Sequence, residues 1–118
     1  MASFDAKLEK RDGATPLYVL SMSGRLDLTG VQVLEEQLKS IKPEPAPRVI
    51  FDLARLGFIG SAGIGLFLSF VEQIRDAGGD ARFINVPASV RAVLALLNVT
   101  EFLTEAGSQD SAVAELRG

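Results

Sequence analysis

The chain contains no histidine and no cysteine. Without histidine it can hold no Ser-His-Asp triad, no histidine general base and none of the common zinc constellations. Without cysteine there is no disulfide, thiolate nucleophile or thiolate metal site. Lysine and arginine form no cluster, and the formal net charge is -3. Nucleic acid demands a basic stripe to neutralise phosphate, so direct nucleic-acid binding is not expected. Long apolar runs are missing too: the longest, Ile64 to Val71, is broken by Gly65 and Ser69. That falls well short of the ~20 residues needed to cross a bilayer. Met1-Ala2-Ser3-Phe4-Asp5 has neither the basic start nor the apolar core of a secretory leader. The expectation is a cytoplasmic protein with no direct membrane contact.

What remains is an ordinary globular composition, with 118 residues of which 47% are hydrophobic. This suits one domain, residues 1–118, that buries its own core without metal or disulfide. Phe4 to Lys10 alternates apolar and charged residues with the period of a half-buried strand. A turn over residues 11–16 leads to a second strand, Leu17 to Met22, and the two read as a hairpin. Leu28, Val31, Leu34, Leu38 and Ile41 have helical spacing; Asp27 suits the N-cap and Pro43 to Pro47 end the helix. Val49-Ile50-Phe51 reads as a central strand covered on both faces. A helix from about Ser61 to Ala77 closes on Gly78-Gly79, followed by a strand over 81–86 and a helix over 88–98. A short strand at Phe102-Leu103 and a helix over 111–117 complete the pattern. The order predicts an α/β fold, a mixed sheet of four to five strands with helices mainly on one face.

Between the strand run ending near Leu56 and the long helix lies Gly57-Phe58-Ile59-Gly60-Ser61-Ala62-Gly63-Ile64-Gly65. It places one hydroxyl, Ser61, among small residues at a helix start, where free N–H groups favour negative charge. A catalytic nucleophile fails on two grounds: Ile59 occupies the position where a nucleophile elbow has glycine, and no histidine can accept the proton. A phosphate-cradling loop fails on spacing, because the glycines match neither the dinucleotide nor the P-loop pattern. Ser61 as a simple N-cap and Ser61 as a phosphorylation site both survive, and they are compatible. Phosphate there adds up to about two negative charges, held by the helix dipole and disruptive to an apolar contact alongside.

Ile64, Phe67, Leu68, Val71 and Ile74 form a buried stripe on this helix; Leu66 and Phe70 widen the apolar arc to roughly 200°. These two either bury against the helix over 88–98 or face a partner, and Leu96 stands in the same position on that later helix. Asp27 reads as a cap, and Asp52 has no assigned role.

Taken in order, Ser23-Gly24-Arg25-Leu26-Asp27, Val49-Ile50-Phe51-Asp52-Leu53, the turn from Phe58 to Gly65, Ala77-Gly78-Gly79 and Val90-Arg91-Ala92-Val93-Leu94 resemble a STAS domain of the anti-sigma factor antagonist type. The resemblance spans nearly the whole chain. It implies a non-enzymatic binding switch with no catalytic residue, cofactor or metal. The unphosphorylated form would bind a serine-kinase anti-sigma factor and so release a sigma factor. That kinase would phosphorylate Ser61, and a PP2C-type phosphatase would reverse it. Phe58, Ile59, Gly60, Ala62, Gly63, Leu66 and Phe70 are the candidate partner contacts, on a monomer or weak dimer. Two positions depart from the pattern: many members have Asp where Gly60 stands, and Ser or Thr where Ala62 stands. The alternative is a STAS subunit that is never phosphorylated and serves a transporter or signalling scaffold.

Overall fold

The computed structural model describes residues 3–13, 16–41 and 45–117. Strand β1, Phe4–Arg11, pairs antiparallel with β2, Leu17–Leu26, in a register running from Phe4 opposite Gly24 to Arg11 opposite Leu17. The hairpin expected from the alternation is therefore present, with β2 four residues longer at its C-terminal end than its apolar run suggested. Of the turn between them, Ala14 and Thr15 lie outside the described residues, as do Met1, Ala2, Lys42, Pro43 and Glu44.

Helix α1, Leu28–Leu38, follows directly and leads to strand β3, Arg48–Ile59. Helix α2, Ser61–Asp76, then leads to strand β4, Asp80–Ile84. The sheet order is β1-β2-β3-β4, with β2, β3 and β4 parallel. Two successive parallel crossovers in the same direction, each right-handed, put α1 and α2 on the same face. Helix α3, Ala88–Leu96, adds Val90 and Leu94 to the core on that face. Helix α4, Gln109–Arg117, covers the other face with Ala112 and Leu116 against Leu17, Val19, Ile50 and Ile84. Four strands with helices mainly on one side match the expected class.

The larger core is centred on Phe51. Its ring stacks on Phe83 at 4.8 Å and meets Phe67 at 5.7 Å and Phe70, edge-on, at 5.9 Å. Such pairs add about 0.5–1.5 kcal/mol each beyond the area they bury. Helix α2 ends in a Schellman closure: Gly79 N–H donates to Ile74 O at 2.7 Å and Gly78 N–H to Arg75 O at 3.0 Å. Gly78 takes φ +87, and a Cβ on Gly79 would lie 1.9 Å from Pro47 O, so both expected glycines are required there.

Three expectations are corrected. Phe102-Leu103 is not a strand: Thr100–Phe102 forms a 3-10 turn. Asn98, at φ 56, turns the chain at the end of α3, and the sheet edge is met only by a bridge between Phe83 and Glu105. Helix α1 stops at Leu38 rather than Ile41, although Ile41 is fully buried. Leu28, placed in the buried stripe by its spacing, is the first residue of α1 and is 77% exposed.

A polar cluster ties α2, β4 and α4 together. Asp80 accepts from Arg75 Nε at 2.9 Å and Arg82 Nη1 at 2.8 Å, and Arg82 Nε donates to Glu115 at 2.7 Å. Burial alone pushes the Asp80 carboxyl pKa up, but the hydrogen bonds from Arg82, Arg75 and the Ala81 N–H outweigh it. The net effect holds the carboxyl below its ordinary range. A depressed folded pKa contributes stability above the unfolded pKa near ~3.9 that is lost as pH falls through the folded value. Asp80→Asn is therefore expected to reduce the loss of melting temperature between neutral pH and about pH 3. Identical acid sensitivity of variant and parent would contradict this.

Candidate functional site

Strands β2 and β3 end side by side, with Arg25 opposite Phe58 and Leu26 opposite Ile59. The chain then enters two helices from this one edge. Asp27 is the N-cap of α1, its Oδ1 accepting from Gly30 N–H at 3.0 Å, as its sequence position suggested. At α2 the N-cap is Gly60, in extended conformation at φ -96 and ψ 175, with its N–H donating to Leu26 O at 3.0 Å. Ser61 is thus the first helical residue and not the cap. The reason lies in β3, which runs through Gly57 and Phe58 to Ile59 instead of stopping near Leu56.

This shift determines what Ser61 presents. It is exposed, and its hydroxyl has no hydrogen-bond partner among the described residues. No side chain caps α2 and its first turn carries no acidic residue. The first backbone bond within the helix is Ile64 N–H to Gly60 O, at 3.1 Å. The N–H groups before it form a positive end with no side chain compensating it.

The surroundings sort the other candidates. Phe58 is 38% exposed and carries the Arg25 guanidinium over its ring at 4.1 Å. Gly60 and Ala62 are half-buried, and Leu66 is half-buried against the core. Ile59 and Phe70 do not belong to the contact surface: they are 4% and 1% exposed, both within the core. Phe70 is buried because α2 lies over the sheet and turns this ring edge-on to Phe51 of β3. Gly63 is buried as well; a Cβ there would lie 2.7 Å from Leu26 Cγ, so its smallness lets α2 settle on β2. Leu96, by contrast, is 82% exposed.

Two residues at this edge escaped the sequence reading as site residues. Arg25 reaches Phe58 only through the parallel register of β2 and β3, which local pattern does not carry. Leu28, at the start of α1, is exposed at the same edge. Beside Phe58 a small apolar hollow of about 120 Å³ opens between β3 and α3, lined by Gly57, Ile59, Ser89, Val90 and Val93. Asp52, left without a role, clamps a loop: its Oδ1 accepts from Ala54 N–H at 3.0 Å and Asn85 Nδ2 at 3.1 Å. Among the described residues there is no metal-holding group of three or more acidic, histidine or cysteine side chains, and no helix is long and apolar enough to cross a membrane.

The arrangement offers a place for added negative charge beside an apolar, arginine-flanked surface. Gly60 bears on this directly. A Cβ there would meet Phe58 Cε2 at 3.5 Å, an ordinary contact, and the backbone is open to any residue. Gly60→Asp is expected to raise stability by about 0.5–1 kcal/mol through capping and the helix dipole. Chemical denaturation checks it; a loss of stability would show that the turn depends on glycine.

The chain belongs to the STAS domain family, whose model matches residues 5–112. It is similar to BtrV, a candidate anti-sigma factor antagonist of Bordetella bronchiseptica, at 26% identity over 93% of this chain and 92% of that one. Among solved structures it is similar to the anti-sigma factor antagonist SpoIIAA in its unphosphorylated form, at TM-score 0.77, 21% identity, and 95% and 97% coverage of the two chains. The Bacillus protein in its phosphorylated form aligns at TM-score 0.69 and 20% identity, over 94% of this chain and 100% of that one. The same fold recurs within the murine anion transporter Slc26a9, at TM-score 0.75 and 12% identity, covering 99% of this chain and 22% of the transporter.

Proposed function

We propose that this protein is an anti-sigma factor antagonist whose docking is switched by phosphorylation of Ser61. The unmodified chain binds a serine-kinase anti-sigma factor through the edge formed by Phe58, Arg25, Leu28 and the first turn of α2, and a sigma factor is released. The observation that carries this reading is the exposed, unpartnered Ser61 hydroxyl at the uncapped positive end of α2, beside apolar surface. In the kinase step the Ser61 oxygen attacks the γ-phosphorus of ATP, its proton passes to a base of the partner, and ADP leaves. A PP2C-type phosphatase hydrolyses the ester and restores the hydroxyl. The role is one of binding, in the cytoplasm, and the chain itself performs no catalysis.

The electrostatics give the switch its direction. The helix end stabilises a phosphate by about 0.3–1 kcal/mol in the free protein. In the docked state the same charge would be desolvated against Phe58 and Leu28, which opposes binding.

Incubation with the cognate kinase and ATP is expected to add one phosphate, read by intact-mass spectrometry and lost in Ser61→Ala. A phosphate that persists in that variant would place the acceptor elsewhere. The fold shared with Slc26a9 and the glycine at position 60 keep a second reading in play, a constitutive subunit of a transporter complex. Co-purification with membrane components, with Ser61 unmodified, would favour it.

A further inference from the structure

A groove of about 440 Å³ lies along the C-terminal half of α2, lined by Leu68, Val71, Glu72, Arg75, Asp76 and Phe102. Its far wall is Phe102 of the 3-10 turn. Phe102 is 52% exposed although its neighbour Leu103 is buried at 3%. Leu68, Val71 and Phe102 give the groove its apolar lining.

The unpaired charges around it are of one sign. Arg75 is occupied: Nε donates to Asp80 at 2.9 Å, Nη1 to Phe102 O at 3.2 Å and Nη2 to Thr104 Oγ1 at 3.1 Å. These three bonds turn the guanidinium into the wall and fix the position of Phe102. Glu72 and Asp76 on the rim, and Glu101 beside Phe102, are exposed and unpaired among the described residues. The groove therefore presents an apolar floor rimmed by carboxylates that have no ion-pair partner among the described residues.

We infer that this groove docks a short amphipathic helix of another protein, with leucine-like side chains on one face and lysine or arginine along its flanks. Helix-in-groove recognition requires an apolar strip of this kind, and the acidic rim selects basic flanks. A second copy of this chain is the poorer occupant, since its own net charge of -3 sets acid against acid. Ser61 and Glu72 lie on one face of α2, eleven residues and about 16 Å apart along its axis. The two sites are thus separate, and this inference does not rest on phosphorylation of Ser61.

The test uses a synthetic helix of about 18 residues with leucines at helical spacing and lysines elsewhere, and a counterpart with glutamates in place of the lysines. Each is titrated into the isotope-labelled full chain and followed by amide NMR. The lysine peptide is expected to shift resonances of residues 68–76 and 101–103, and the glutamate peptide to leave them in place. Phe102→Ala should weaken the lysine peptide about ten-fold. The double variant Glu72→Lys with Asp76→Lys, which alters only exposed side chains, should do the same should Phe102→Ala fail to fold. Shifts scattered over the rest of the surface, equal binding of the glutamate peptide, or unchanged affinity in a folded variant would overturn the inference. So would a dimer of the free protein that shelters Phe102.

Discussion

Phe70→Ala is expected to lower the unfolding free energy by about 3–5 kcal/mol, the range for removing a buried aromatic ring. Phe70 is 1% exposed and stands edge-on to Phe51 at 5.9 Å. Its removal empties a site beside Phe51, which is itself packed against Phe67 and Phe83. The surroundings can collapse only partly, so a cavity term adds to the lost transfer energy. For a chain of this size the effect corresponds to a fall of about 10–20 °C in melting temperature. The result also separates two roles. A partner-contact residue would reduce binding with the melting temperature unchanged, and that pattern would return Phe70 to the surface.

Ser61→Asp is the second large effect expected, and its signs are opposed. Partner binding should weaken by about 1–3 kcal/mol, roughly 5–150-fold, because a carboxylate at the centre of the docking edge must be desolvated. Fold stability should rise slightly, by about 0.3–1 kcal/mol, since an acid in the first turn complements the helix end. Ser61→Ala should bind nearly as the parent does, because the hydroxyl makes no protein hydrogen bond among the described residues that would be lost. Calorimetric titration against the kinase-type partner, with denaturation of the free variants, measures both signs. Weaker binding that came with lower stability would point to a damaged turn and not to a switch.

Much of the fold was legible because it rests on local signals. The β1–β2 hairpin follows from alternation, α1 from its Asp27 cap, and the end of α2 from Gly78-Gly79. Ser61 at a helix start was legible for the same reason. The errors occur where tertiary context overrides a local cue. Gly57 reads as a breaker, yet β3 continues through it because β2 pairs alongside as far as Leu26 opposite Ile59. That extension moves the cap from Ser61 to Gly60 and draws Ile59 into the core. Phe70 falls off the main apolar stripe of α2, but it packs edge-on against Phe51 in the core. Arg25 over Phe58 depends on strands brought together from opposite ends of a crossover, and no window of sequence holds that register.

The hydroxyl at the head of α2 is the hinge of the functional account. The most direct measurement compares the affinity of the serine-kinase anti-sigma partner for the unmodified chain and for the chain carrying phosphate on Ser61. The account predicts at least about ten-fold weaker binding of the phosphorylated form. Equal affinity of the two forms would contradict it.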